Sequence, residues 1–300
     1  MATPTRSREQ QAAQSGLVVL MLRELAGTWT LLDSRRLART MPRWVAAVRA
    51  VIARYAESSG AMALDYYDLE RDAAGVRGRR PSPLLREPDP GQVEESLRWA
   101  TKNFWDQELL DSAAEVERLL AEIAREEEAA DLAALDEEDL AGVGEDRVEE
   151  DLADPEPAPA RGDVAGQVRV TRTKVDGIAS RLVTDVGRGA IVDAVAEDRQ
   201  AVGVARMAAA DACAFCRVMS IRGPVYKDER TAGRRANARF QGAGEFKYHD
   251  HCRCWAVPYF EGEEWQPQPE IELWQRQYER ARAMRGDTIA NLSRILRAGG

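Results

Sequence analysis

Six side chains that bind soft metals lie close together in this sequence. The stretch from Tyr248 to Phe260 reads YHDHCRCWAVPYF and holds two histidines and two cysteines within six residues. The other two cysteines, Cys213 and Cys216, lie upstream in DACAFCRVMS. The chain of 300 residues has no further cysteine or histidine, so all of them fall in one window of 42 residues. Thiolate sulfur and imidazole nitrogen are ligands that zinc prefers, and their concentration here predicts a metal site.

The spacing of these residues is typical of a structural zinc site. Two cysteines in a C-x-x-C spacing allow a tight backbone turn that points both sulfur atoms at one ion, and further ligands follow after a long loop. A structural zinc ion takes four ligands in tetrahedral geometry, and the sequence offers six candidates. We predict Cys213, Cys216, His249 and Cys252 as the ligands, with Cys254 as the first substitute and His251 as the second.

Three other interpretations of the cluster remain open. A cysteine nucleophile activated by a histidine needs only one thiolate beside one imidazole, whereas four cysteines cluster here. A catalytic metal would need an open position and a nearby base, and the sequence has no H-E-x-x-H motif. The third interpretation is a set of buried thiols without a metal. We favour the structural zinc ion, predict no catalytic residue, and regard an enzyme as the less favoured class.

The segment between the two halves of the cluster is basic and poor in large apolar residues. From Arg222 to Lys247 it carries seven basic against three acidic residues. A loop of this composition cannot form its own core, so a metal that closes it would supply folding free energy directly. The charge fits either a solvated loop or a contact to nucleic acid or to an acidic partner. The candidate contact residues are Arg222, Arg230, Arg234, Arg235 and Arg239.

The elements that must position the cluster are predicted to be mainly helical. Apolar residues at helical spacing mark much of the first half and residues 175–195, where we expect one or two helices interrupted near Gly187 and Gly189. The stretches GVARMA and CWAVPYF predict short strands on either side of the cluster. The tail predicts two helices split at residues 285–287. We therefore expect a mainly α fold with a small α+β, zinc-stapled module near the C-terminus.

A strongly acidic segment separates the helical regions. From Glu126 to Glu156 there are fifteen acidic residues and one basic residue, and alternating prolines follow, which predicts a disordered linker. The sequence thus predicts an N-terminal helical region (1–124), an acidic linker ending in prolines (125–163), a helical region (164–202), the zinc-binding module (203–262) and a helical tail (263–300).

No export signal and no membrane contact are predicted from the sequence. The apolar run GLVVLML is seven residues long and ends before Arg23, which is too short to cross a bilayer. We expect the chain to stay in a cytoplasm. Thiols remain reduced there, and close cysteine pairs more often bind metal than form disulfides.

The residues around the cluster resemble a known family. A C-x-F-C pair, a following R-G-P-V-Y, and an H-x-x-C-x-C before an apolar strand with a proline resemble the C-terminal module of phage minor head proteins of the Mu protein F (MuF-like) type. The resemblance is closest to versions from tailed phages of actinobacteria. The matching positions are Cys213, Phe215, Cys216, Arg222, Gly223, Pro224, Val225, Tyr226, His249, Cys252, Cys254 and Pro258.

The MuF-like resemblance implies a minor capsid protein that acts in head morphogenesis, associated with the portal and the head interior. Its partners would be the portal protein and the major capsid or scaffold protein, with packaged DNA as a further contact of the basic loop. Its location would be the virion, and the host cytoplasm during assembly. Many such actinobacteriophage proteins carry the label capsid maturation protease, which is the alternative function. Ser220, however, has no recognisable His–Asp partner in the sequence.

Overall fold

The protein is mainly helical, with a two-stranded sheet and a cysteine cluster near the C-terminus, which confirms the predicted fold class. The structure, a computed structural model, describes residues 4–33, 36–102, 118, 121–122, 125, 164–209, 212–224 and 252–298. In chain order the elements are α1 (Pro4–Thr28), a 3-10 helix (Trp29–Leu31), α2 (Leu37–Ala73), α3 (Pro90–Ala100), α4 (Val164–Glu197), β1 (Ala201–Met207), α5 (Ala214–Ser220), β2 (Trp255–Phe260), α6 (Ile271–Ala283) and α7 (Thr288–Arg297).

Two compact units are present, and each combines segments that are distant in the sequence. The unit with the cysteines, which we call the cysteine unit, contains Met1–Gln14, Ser59–Arg86 and Asp185–Gly300, and the second unit contains Ser15–Ser58 and Glu87–Thr184. The five regions inferred from the sequence stay a prediction. The acidic linker predicted at 125–163 lies outside the described residues, apart from Arg125. Across the described part of the chain, no helix combines the length and apolarity that a bilayer crossing needs.

The second unit is a helical assembly built around apolar faces of α1, α2 and α4. Trp29 and Trp44 are buried there, and their ring centroids lie 5.1 Å apart in a tilted arrangement. Helix α3 begins at a capping residue, Asp89, whose carboxylate accepts hydrogen bonds from the backbone N–H groups of Gly91 and Gln92. The tilted pair of indole rings stabilises the core of this unit, and the cap satisfies backbone N–H groups at the start of α3.

The sheet of the cysteine unit consists of β1 and β2, which confirms both strands predicted from the sequence. They pair antiparallel, with Ala201 opposite Phe260 and Met207 opposite Trp255. Every residue of β2 is buried, and β1 is buried from Gly203 onward. Cys252 and Cys254 directly precede β2 in the sequence. Because Trp255 pairs with Met207, these two cysteines lie beside the end of β1.

Helix α4 is continuous from Val164 to Glu197, so the predicted interruption near Gly187 and Gly189 is wrong. A Cβ atom at Gly187 would lie 2.6 Å from the Oγ atom and 2.9 Å from the carbonyl oxygen of Ser59, and 2.9 Å from the Cη2 atom of Trp255. Glycine therefore serves close packing here: α4 approaches α2 and β2 at a distance that no other residue permits.

A buried ion pair fixes the chain between α4 and β1. The Nε atom of Arg71 donates to Asp198 Oδ2 at 2.7 Å, and the hydroxyl group of Tyr67 donates to the same oxygen at 3.1 Å. Burial acts to raise the pKa of Asp198, but the hydrogen bonds from Arg71, Gln200 N–H and Tyr67 outweigh it and lower that pKa overall. The connection between α4 and β1 therefore depends on the ionised form of Asp198.

The C-terminal tail forms two helices that pack on α5. Asp287 precedes α7, and its carboxylate accepts a hydrogen bond from Ala290 N–H at 2.9 Å, which confirms the predicted split at 285–287. A small core cluster joins the three helices through Ala214, Ala281, Leu292 and Ile295. Helix α5 therefore packs against the tail on one side, while Cys216 joins the main core of the unit.

We expect Gly187→Ala to lower the free energy of unfolding by about 1–3 kcal/mol, because the added methyl group must displace backbone and ring atoms in a filled interior. The helix propensity gained from alanine, about 1 kcal/mol, acts in the opposite direction. Gly16→Ala in α1 is the matched control, since a Cβ atom there meets nothing within 4 Å. Urea unfolding compares the variants, and a Gly187→Ala protein as stable as Gly16→Ala would contradict the packing role.

Candidate metal centre

Three cysteine side chains converge in the interior of the cysteine unit. The sulfur atoms of Cys216, Cys252 and Cys254 all lie within 4.8 Å of one another, and all three residues are buried. The Sγ atoms of Cys216 and Cys252 are 3.6 Å apart, and none of the cysteines forms a disulfide. Zinc–sulfur bonds of about 2.3 Å in tetrahedral geometry require sulfur atoms about 3.8 Å apart. The three thiols are therefore arranged so that they could hold one metal ion.

Cys213 lies beside this group, at the position that precedes α5. It is half-buried, and its thiol is hydrogen-bonded to that of Cys216, which is the main reason why the pKa of Cys213 is lowered. The C-x-x-C spacing places Cys213 about one helical turn before Cys216. Cys213 is thus a candidate fourth ligand on the more exposed side of the three buried sulfur atoms.

Arg188 holds the backbone of the second cysteine pair. From α4, its Nε atom donates to the carbonyl oxygen of Cys254 at 2.9 Å, and its Nη2 atom donates to the carbonyl oxygen of Cys252. Its Nη1 atom donates to Asp185 Oδ1 at 2.9 Å, and the side chain is 1% exposed. A buried guanidinium with a paired carboxylate and two carbonyl acceptors is a rigid support, because its donors form a planar fork.

The carbonyl group between these two is held from another helix. Gln11 of α1 donates from Nε2 to the carbonyl oxygen of Arg253 at 2.7 Å. Three successive carbonyl groups of the C-R-C segment therefore accept side-chain hydrogen bonds from residues far away in the sequence. This support orients the segment so that the thiols of Cys252 and Cys254 can point at the same place as that of Cys216.

Burial and crowding oppose ionisation of the thiols in the absence of a cation. Burial raises the pKa of Cys252, and hydrogen bonds with Cys216 and Cys252 together with burial raise the pKa of Cys254 well above its ordinary value. Both residues are therefore neutral thiols near neutral pH unless a cation compensates the charge. A metal that binds here must displace their protons.

Gly223 belongs to the R-G-P-V-Y stretch and has a specific packing role. Its φ angle is +68°, in the left-handed region that glycine adopts without strain. A Cβ atom at this position would lie 3.2 Å from two ring atoms of Trp265. The turn after α5 therefore requires glycine for its backbone conformation and for the close approach of an indole ring.

The structure brings together part of the predicted site. Cys216, Cys252 and Cys254 meet, and Cys213 lies next to Cys216, whereas His249 and His251 lie outside the described residues. Among the candidate contact residues, Arg222 is exposed just after α5, and the others, Arg230, Arg234, Arg235 and Arg239, also lie outside the described residues. The hydroxyl group of Ser220 is buried and donates to the carbonyl oxygen of Cys216 at 3.0 Å.

Sequence reasoning missed the residues that support the cysteines. Arg188 and Arg206 each interrupt an apolar pattern, in α4 and β1 respectively, and a charge at a core position signals a buried partner. The two buried arginines could therefore have been noticed in the sequence, but the sequence does not show which groups they contact. Gln11 is a polar residue on a helix surface, and its pattern in the sequence gives no sign of its hydrogen bond to Arg253.

Comparison with known families gives one result for this chain. A family model described as VG15 protein matches residues 1–281. The chain belongs to the VG15 protein family. This membership indicates a phage protein. The match covers the second unit and the cysteine unit up to residue 281, including all four cysteines. No curated protein and no solved structure matches this VG15 family protein significantly.

We expect the metal affinity of this VG15 family protein to fall as the pH falls. Because the pKa values of Cys252 and Cys254 are raised, both thiols are protonated between pH 6 and pH 8, and an ion must displace their protons. Each displaced proton changes the affinity by about tenfold per pH unit. Competition with a chelator at pH 6, 7 and 8, corrected for the chelator's own protonation, measures this. An affinity that does not change with pH would contradict thiolate ligation.

Proposed function

We propose that this VG15 family protein is a minor component of the phage head, in which a structural zinc ion closes the C-terminal module. The observation that carries this proposal is the group of three buried thiols with an anchored backbone. Among the described residues the group contains only cysteines, with no carboxylate that could act as a base. Thiolate-rich, closed sites are typical of structural zinc, whereas catalytic zinc keeps a position for water.

The MuF-like resemblance supports the assignment to the head, because the residues that carry it have physical roles in this chain. Cys216, Cys252 and Cys254 meet, Gly223 adopts a left-handed conformation against Trp265, and Pro258 lies in the buried strand β2. A family whose members are phage proteins is consistent with this origin. The finer assignment to the MuF-like type rests on these residues.

The partners and the location follow from the same proposal. A minor head protein binds the portal protein and contacts the major capsid or scaffold protein, and it is found in the virion after assembly in the host cytoplasm. The basic loop between Arg222 and Lys247 is the segment that we propose to contact packaged DNA.

We expect Cys216→Ser and Cys252→Ser to abolish tight zinc binding and to prevent the formation of infectious particles. Each change removes one thiolate from the buried group, so the module loses the folding free energy supplied by the metal. Complementation of a phage that lacks this gene, with particle counts and electron microscopy of heads, measures the effect. Arg280→Gln on the exposed face of α6 is the control and should restore normal heads.

The same experiment separates the head-protein role from a capsid maturation protease. Gel analysis of the capsid and scaffold proteins in these particles shows whether their processing depends on this chain. Unchanged processing together with misassembled heads is the expected result. Normal heads made with Cys216→Ser would contradict the proposal, and lost cleavage of the capsid protein would favour the protease.

A further inference from the structure

The buried thiols would carry excess negative charge once a metal is bound. Three thiolates with one divalent cation have a net charge of −1, and the three cysteines are at most 5% exposed. A charge in a buried position is costly unless an opposite charge lies next to it. Cys213, the candidate fourth ligand, is half-buried, so water can solvate part of its charge. The unsolvated charge is therefore that of the three buried thiolates.

Arg206 places a positive charge against one of these sulfur atoms. It belongs to β1, is 5% exposed, and lies between the buried residues Ala205 and Met207. Its Nη1 atom donates to the Sγ atom of Cys216 at 3.6 Å, a normal distance for a hydrogen bond to sulfur. The guanidinium group also lies over the ring of Phe215, with its Cζ atom 5.6 Å from the ring centroid. This cation–π contact fixes the orientation of the fork.

Arg188 and Arg206 have different relations to the centre. The guanidinium of Arg188 pairs with Asp185 and donates to backbone carbonyl groups, so it orients the C-R-C segment. Its charge also acts on the thiol of Cys252 through space, next to the opposite charge of Asp185. Arg206 instead donates to a ligand atom. Groups of this kind that hydrogen-bond a metal ligand tune its charge and orientation, and their loss typically lowers metal affinity by about 10–100-fold.

We propose that Arg206 is a positioning residue of the metal centre, which neutralises the charge of the buried metal–thiolate group and orients the sulfur atom of Cys216. This inference rests on the proposed metal centre and concerns how tightly that centre holds its ion. Two conditions must hold for this role. The side chain at position 206 must be positively charged, and its charge must act on the thiolates.

The test compares zinc and cobalt binding by the full-length chain and three variants. Arg206→Gln removes the charge, Arg206→Lys keeps it, and Arg217→Gln removes a different arginine of the same module. Arg217 is a matched control because it donates to Ala212 O at 2.7 Å and to Gln277 Oε1 at 3.1 Å. Competition with a chelator gives the affinities, and the absorption of bound Co²⁺ reports the number of thiolate ligands.

We expect Arg206→Gln to bind zinc about 10–100-fold more weakly than the wild type, and Arg206→Lys to recover most of that loss. Arg217→Gln should remain within about twofold of the wild type, because the two hydrogen bonds given for Arg217 reach a backbone carbonyl oxygen and the side chain of Gln277, and neither acceptor is a sulfur atom. The charge-transfer absorption of Co²⁺ should keep its intensity in Arg206→Gln, with a shifted maximum, since the same thiolates bind in a changed electrostatic environment.

Equal affinities for Arg206→Gln and the wild type would overturn this inference while leaving the metal centre in place. Equal losses in Arg206→Gln and Arg217→Gln would also overturn it, because they would reflect general destabilisation. Should Arg206→Gln not fold, Arg206→Lys decides: binding within about tenfold of the wild type supports the role of the charge, and a greater loss contradicts it. A wild-type chain that binds neither Zn²⁺ nor Co²⁺ would instead contradict the proposed function.

Discussion

The crowding of three thiols in a buried position is the interaction on which the C-terminal part of this protein depends. Cys216 and Cys252 are 36 residues apart in the sequence, yet their sulfur atoms are 3.6 Å apart and excluded from water. Thiolates cannot accumulate at such a place without a cation, because each charge would be desolvated and would repel its neighbours. A bound metal would convert this crowding into a cross-link between α5 and the segment that leads into β2.

Two adjacent residues of α4 make this arrangement possible. Gly187 allows the helix to approach Ser59 and Trp255 more closely than any side chain would permit. Arg188, the next residue, then reaches the carbonyl groups of Cys252 and Cys254. The close approach and the hydrogen bonds depend on each other, since an arginine on a more distant helix could not reach both acceptors. The candidate metal centre is thus supported by helix α4, which packs against it.

Local patterns in the sequence predicted the elements near the cluster, and long-range packing determined the rest. The strands around Arg206 and Trp255, and the split of the tail before Asp287, follow from alternation and capping signals that act over a few residues. The break expected at Gly187 was wrong because glycine there serves contacts with residues more than 60 positions away. Such contacts cannot be read from a local pattern, because propensity is a weak prior that tertiary packing overrides.

The sequence likewise predicted the candidate metal-binding cysteines but not the residues that support them. Spacing alone identified the cysteines as a group, and the convergence of Cys216, Cys252 and Cys254 agrees with a metal site. Spacing placed His249 ahead of Cys254 as a ligand, yet Cys254 is one of the three cysteines that meet. The role of His249 stays a prediction, because this residue lies outside the described residues. The supporting residues Arg188 and Gln11 come from distant helices, and no motif in the sequence connects them with the cysteines.

Native mass spectrometry of the purified full-length chain, before and after treatment with a chelator, tests the metal centre most directly. A parallel count of reactive thiols shows which cysteines the ion protects. We expect one zinc ion per chain, masked cysteines in the metal-bound form, and four reactive thiols with a lower melting temperature after the metal is removed. A chain that carries no metal, and whose melting temperature and thiol reactivity do not change with chelator, would contradict the structural metal centre.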